Sequence, residues 1–276
     1  MISRNLLANI CVELTKRYKS LVFWKHLERG LDGYGDIDTF SAHNQMDRIS
    51  LDFINLIFMS HPNSRAAVTC SHLSYAKLNF IILDSYYPQL LEFDVGSMVK
   101  RFGIPWLDAQ TAVDFSEINA EGIRVLQPGA LSVALLVLYG LSFCGSNKLR
   151  DYDHKSILHG IRNDNLIAQK FCKNVFPKKI SGAILIFLEK LKSIDWSNVD
   201  SRRVFSEFFK MSLMDSLKGN NKHLLVAIKD KCRSLCVPRR TIIFKERVAA
   251  YANWQDFIKV SSENNHKILF APQVNL

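Results

Sequence analysis

The sequence predicts an α+β protein, with a mixed β-sheet flanked by helices over residues 1–125 and an α-helical domain over residues 126–276. Three observations lead there. Short apolar runs alternate with helix-spaced segments in the first part of the chain. Gln127-Pro128-Gly129 breaks that pattern, and the segments after it carry apolar residues mainly at helical intervals. The domain boundary falls between Gly122 and Gly129.

Leu6, Leu7, Ile10, Cys11 and Leu14 share one face of a helix over residues 2–18. Lys16, Arg17 and Lys19 sit at its C-terminal end, where the dipole favours cations. Ser20 to Trp24 is a branched and aromatic run that reads as a buried strand. Gly30, Gly33 and Gly35 interrupt the chain as a flexible loop, and Ile37, Thr39 and Phe40 resume strand composition. From Asn44 to Met59, Met46, Ile49, Phe53, Leu56 and Ile57 fall at helical spacing, ended by His61-Pro62-Asn63. Strands follow at Ala66–Cys70, Leu78–Leu83 and Leu90–Val95.

Beyond the break, Ala130–Phe143 reads as an apolar core helix. Phe176-Pro177, Gly219-Asn220-Asn221 and Val237-Pro238 then divide the rest into helices near 162–175, 178–193, 202–218 and 222–236. Thr241–Phe244 reads as a lone strand or a buried extended segment.

Composition narrows the function classes. With 48% hydrophobic and 22% charged residues, no long disordered stretch is expected. The net charge of +10 favours an anionic partner such as a nucleoside triphosphate, RNA or acidic lipid, or else serves solubility alone. The six cysteines lack CxxC spacing, so neither a zinc site nor a disulfide framework is indicated; Cys232 and Cys236, four apart, read as buried thiols. The eight histidines form no HxH or HxxxH pair, and no GxSxG elbow is present. Ala130–Phe143 falls short of the ~20 apolar residues of a membrane span, and no signal-like block opens the sequence, so a cytoplasmic protein without a span is expected.

The chemistry concentrates in Gly35-Asp36-Ile37-Asp38. In a strand, alternate side chains share a face, so Asp36 and Asp38 point the same way. Glu92 and Asp94, in Leu91-Glu92-Phe93-Asp94-Val95, repeat that arrangement on a later strand. Adjacent placement of the two strands gathers three or four carboxylates, which repel by several kcal/mol in a dry site unless a cation joins them. Hard oxygen ligands of this kind suit Mg²⁺. Asp94, the shorter of the second pair, is the expected third ligand, with Glu92 as a further metal-side candidate that orients water or pairs with a base.

At these residues the chain resembles the nucleotidyltransferase-fold (polymerase-β-like) superfamily, most closely its divergent bacterial members. The resemblance rests on Trp24-Lys25-His26-Leu27, Leu31-Asp32-Gly33, Gly35-Asp36-Ile37-Asp38 and Leu91-Glu92-Phe93-Asp94, and covers residues 20–125. It implies a nucleotidyltransferase-like domain with catalytic Asp36, Asp38 and Asp94. It further implies Mg²⁺-dependent transfer of a nucleoside monophosphate from a nucleoside triphosphate such as ATP to an acceptor hydroxyl on RNA, a protein or a sugar-like small molecule. Family members carry Gly-Ser or Gly-Gly after the first strand to grip the triphosphate. Here Trp24-Lys25-His26 stands in that place, leaving Lys25 as a point charge and the loop of Gly30, Gly33 and Gly35 as a source of amides for nucleotide binding. The same departure fits an inactive member that binds nucleotide, RNA or a protein partner.

Two basic stretches accompany this core. Lys148, Arg150, Lys155, Arg162, Lys170, Lys173, Lys178 and Lys179 interleave with Phe171 and Phe176, and read either as a surface for RNA or as a solvated helix face over two core aromatics. Arg239-Arg240 with Lys245 and Arg247 carries the same two readings.

Overall fold

The structure, a computed structural model, describes residues 2–72, 75–82, 89–101, 104–140, 150–193, 206–207, 210, 239–244 and 268–271. It is α+β, with a mixed sheet and helices packed on it. Helix α1 (Arg4–Arg17) begins where the Ser3 hydroxyl accepts the Leu6 N–H at 3.2 Å, and it buries Leu7, Ile10, Cys11 and Leu14. Strand β1 (Val22–Phe23) leads into a short helix α2 (Leu27–Leu31), then strand β2 (Ile37–Phe40), a 3₁₀ turn and helix α3 (Met46–Ser60). Strands β3 (Arg65–His72), β4 (Tyr75–Ile82) and β5 (Gln89–Gly96) form an antiparallel meander, and the last runs parallel to β2.

Beyond this lie a separate hairpin, β6 (Met98–Arg101) with β7 (Ile104–Asp108), a short helix α4 (Ala109–Asp114), and strands β8 (Ser116–Ile118) and β9 (Arg124–Leu126). Helix α5 (Pro128–Leu135) starts with proline in its first turn and continues as a π-helical turn over Leu136–Gly140. Helices α6 (Asp151–Asn163), α7 (Asn165–Val175) and α8 (Lys178–Ser193) follow, and the described chain ends in strands β10 (Arg239–Phe244) and β11 (Ile268–Ala271). The main sheet has the order β11-β10-β3-β4-β5-β2-β1-β9-β8.

Several elements differ from the sequence expectation. The glycine-rich segment after Trp24 opens with α2 instead of a flexible loop, because Leu27 and Leu31 are buried and pull one turn of helix onto β2. The helix expected near 162–175 begins at Asn165, and α6 stands before it as a separate helix. Thr241–Phe244 is no lone segment: β10 pairs antiparallel with both β3 and β11, so part of the chain beyond residue 126 completes the first domain's sheet. Of the helix expected near 202–218, residues 206, 207 and 210 are described and helical, and the helix expected near 222–236, like Cys232 and Cys236, lies outside the described residues. Among the described residues, no helix is long and apolar enough to cross a membrane.

The two faces of the sheet are buried differently. Leu21, Phe23, Ile37, Phe93 and Val95 face α1 and α3. Phe53 of α3 stacks on Phe93 at 3.8 Å between ring centroids and meets Phe80 edge-on at 5.4 Å, which fixes the helix against β4 and β5. Val22, Trp24 and Phe40 point the other way, into a second cluster formed with α5–α8. The helical half is therefore packed against the sheet. Within it, α5 approaches its neighbours closely, since a Cβ on Gly129 would strike the Asp164 carbonyl and one on Gly160 the Pro128 carbonyl.

Phe53→Ala removes the ring that packs α3 on β4 and β5. It is expected to lower unfolding stability by about 3–5 kcal/mol, read from the midpoint of urea unfolding.

Candidate functional site

Asp38 and Asp94 are direct partners in the parallel β2–β5 ladder, and Lys77 of β4 stands opposite Asp94 on its other side. Directly paired residues project from the same face, so one row crosses three strands with carboxylate, carboxylate and ammonium side by side. Asp36 sits two residues before Asp38 and shares that face. It is the face of Trp24 and Phe40, turned toward the helical half. One carboxylate oxygen from each of Asp36, Asp38 and Asp94 lies within 4.8 Å of the others.

Local structure holds these groups in place. The Trp24 N–H donates to the Asp38 carbonyl at 3.1 Å, and the Thr39 hydroxyl donates to the Asp94 carbonyl at 2.9 Å. Gly30 lets α2 lie on the start of β2, for a Cβ there would come within 2.7 Å of Ile37 Cγ1 and 2.9 Å of the Asp36 carbonyl oxygen. The sequence pointed to Gly33 and Gly35 for their amides. Instead, Gly33 has a positive φ of 78° and donates its N–H to the Gly30 carbonyl at 3.1 Å, so it shapes the turn that delivers Asp36. Space is open around Gly35.

Lys25 lies at the site, and its immediate partner is Asp38. Its Nζ is 2.8 Å from Asp38 Oδ1 and donates to the Tyr139 hydroxyl at 3.1 Å, beside the Trp24 and Tyr139 rings. Burial works against the ammonium, but Asp38 and the Tyr139 oxygen outweigh it and hold the Lys25 pKa above its ordinary value. Asp38 is almost fully buried. That burial, joined by the charges of Asp36 and Asp94, pushes its carboxyl up to about 7 against the pull of Lys25. Glu92 lies outside the group of three and pairs with Lys77 at 3.0 Å, so the second acidic strand contributes one member, Asp94.

Residues to which the sequence assigned no role at this site complete the surroundings. His26 is the one non-glycine with positive φ among the described residues, at 51°, and its Nε2 meets the buried Asp153 carboxylate at the start of α6. Asp153 also accepts from the Arg150 backbone N–H and Nε, both at 3.1 Å. Burial holds the His26 imidazole below its usual value despite Asp153. Strain at a residue following Lys25 marks a segment that the surrounding contacts over-determine. By contrast, Phe171 and Phe176 are core residues packed on Phe115 and Trp106, which settles their reading against base stacking. An open cleft of about 330 Å³ beside Leu126, Pro128, Leu131 and His159 is mostly apolar and carries no carboxylate.

The donor set fits a hard divalent cation. Each of the three carboxylates offers an oxygen within 4.8 Å of the other two, the all-oxygen set that Mg²⁺ takes. Three carboxylates, two of them buried, gather where Lys25 contacts Asp38 and Lys77 stands across from Asp94 while pairing with Glu92. Added positive charge relieves the repulsion that Asp36 and Asp94 exert on Asp38.

The sign of the pH effect follows. Asp38 titrates higher in the fold than in the unfolded chain, so its contribution to stability is full below about 3.8 and is lost as pH rises through about 7. A bound cation offsets that loss. Mn²⁺ is expected to raise the Tm by several degrees more at pH 8 than at pH 5.5, and Asp38→Asn is expected to remove the difference; equal shifts at both pH values contradict the assignment. Gly30→Ala, which displaces the Asp36 backbone, is expected to weaken Mn²⁺ binding about tenfold in calorimetric titration.

No family model matches the chain, and no curated protein matches it. Among solved structures, the crystal structure of JHP933 from Helicobacter pylori is similar over 78% of this chain and 95% of that one, with 11% sequence identity and a TM-score of 0.39, a level of likeness that carries no argument about function.

Proposed function

We propose that this chain is a metal-dependent nucleotidyltransferase that moves a nucleoside monophosphate from a nucleoside triphosphate to an acceptor hydroxyl. The observation that carries this reading is the convergence of Asp36, Asp38 and Asp94 from two non-adjacent segments onto one face of neighbouring strands. The sequence resemblance described above adds the reaction class.

In this reading the three carboxylates hold Mg²⁺, which supplies charge neutralisation for the polyphosphate and lowers the cost of generating an attacking alkoxide. The acceptor hydroxyl gives up its proton to solvent and its oxygen bonds to the α-phosphorus as the bond to the bridging oxygen breaks and pyrophosphate leaves. The protein's own part is positioning. Thr39 and Trp24 fix the backbones of Asp94 and Asp38, and Lys25, kept charged by its partners, orients Asp38 and presents positive charge beside the phosphates. We place the protein in the cytoplasm, with RNA, a protein or a sugar-like small molecule as acceptor.

A second reading is favoured by one observation. The Lys25–Asp38 ion pair occupies a carboxylate that a metal requires, as expected of a binding module that has given up catalysis. Incubation with α-labelled nucleoside triphosphates and separate RNA, protein and small-molecule pools separates the two. The enzyme is expected to transfer label in a metal-dependent manner, and Asp36→Ala/Asp38→Ala is expected to reduce transfer by about a hundredfold or more while far-ultraviolet circular dichroism stays unchanged. Label transfer retained in the double variant overturns the assignment. Nucleotide binding without transfer in any pool supports the binding module.

A further inference from the structure

Two guanidinium groups converge beside the carboxylate site, on one aromatic ring. The Arg29 Cζ lies 4.2 Å from the centroid of the Tyr152 ring, and the Arg150 Cζ lies 4.4 Å from it. Arg29 belongs to α2 in the first half of the chain, and Arg150 is the N-cap of α6 in the helical half. The two charges are thus within about 9 Å of each other, a spacing at which like charges repel unless an anion joins them.

The compensation on hand is small. Asp153 pairs with Arg150, so one buried carboxylate stands against two guanidinium groups. Arg29 donates to the Tyr34 carbonyl at 3.3 Å, and among the described residues no carboxylate lies within ion-pair distance of it. A guanidinium held over an aromatic ring still offers N–H groups at its free end to an oxyanion, and arginine binds phosphate through two such donors.

The pair also adjoins the metal-ligand row. The Tyr139 ring lies 5.8 Å from both the Arg150 Cζ and the Lys25 Nζ, and Lys25 holds Asp38. His26, next in sequence to Lys25, meets the Tyr152 ring edge-on at 4.6 Å. One layer of side chains separates the arginines from the carboxylates. Arg29 is further tied, through Tyr34, to the turn that delivers Asp36.

We propose that Arg29 and Arg150, supported on Tyr152, form a clamp for the β- and γ-phosphates of the nucleoside triphosphate, replacing the small-residue amide grip that the Trp24-Lys25-His26 segment lacks. The proposal rests on the nucleotidyltransferase reading for the identity of the ligand. The clamp's binding of polyphosphate stands apart from turnover. Because one arm comes from each half of the chain, bound triphosphate also draws the two halves together.

The test uses the full chain and inorganic triphosphate without divalent metal, titrated by calorimetry, with Arg29→Gln, Arg150→Gln and, as a surface-charge control, Lys173→Gln. Each arginine variant is expected to weaken triphosphate binding tenfold or more, while the control and the Mn²⁺ affinity of all three stay within twofold of the unaltered chain. Absence of triphosphate binding to the unaltered chain overturns the clamp, as does an equal loss in Lys173→Gln or undiminished binding in Arg29→Gln. Should Arg150→Gln melt early through loss of its contact with Asp153, the exposed Arg29 decides the matter alone. A parallel titration with a nucleoside triphosphate and its parent nucleoside is expected to show the arginine effect for the triphosphate only. If both arginine variants lose triphosphate binding yet no label transfer occurs in any acceptor pool, the clamp stands and the transfer reading falls.

Discussion

Two carboxylates buried side by side on neighbouring strands impose the constraint from which the rest of the arrangement follows. The register of β2 against β5 sets Asp38 directly beside Asp94, and Asp36 adds a third negative charge two residues earlier. A fold cannot hold that set dry and unbalanced. Lys25 answers part of the charge from the end of β1, and its own burial requires Tyr139 from the helical half. Charge balance at the sheet thus reaches into the packing between the two halves of the chain.

That dependence explains why the segment after β1 has its unusual composition. Trp24 packs on Phe40 at 4.8 Å beneath the helices, Lys25 reaches Asp38, and His26 takes a left-handed backbone angle to meet Asp153. Three consecutive residues each have a partner elsewhere, two of them in β2 and one in α6. A loop of small residues in the same place would leave the helical half unattached there and Asp38 without its ammonium. The segment exchanges backbone freedom for a fixed link between sheet and helices.

Much of this was legible in the sequence. Alternation around Asp36 and Asp38 gave a strand with both carboxylates on one side, and the repeat at Glu92 and Asp94 gave a second. Period-2 reasoning cannot rank two acids on one face, however, and Asp94 rather than Glu92 joined the group because the β2–β5 register sets Asp94 directly beside Asp38 while Glu92 pairs with Lys77. Lys25 was visible as a cation near the site, but its engagement with Asp38 depends on the antiparallel β1–β2 pairing, a long-range fact. Arg29 lies on α2 whereas Arg150 and Tyr152 open α6, and no spacing rule brings those two helices together. Helix α2 was hidden because glycines at 30, 33 and 35 outweigh the two leucines that fix it; the signal was the i, i+4 spacing of Leu27 and Leu31.

Strand β10 carries a consequence for how the molecule is made. Its residues Arg240–Phe244 pair with Ala66–Cys70, so the edge of the sheet beside β3 is closed by a segment synthesised long after the strands it covers. While the ribosome is still adding the helical half, β3 presents an unpaired row of amides and carbonyls, the kind of surface that recruits a strand from another chain. Completion of the sheet is a late, high-contact-order event, and the nascent chain's exposure to mispairing lasts until Arg239–Phe244 leaves the exit tunnel.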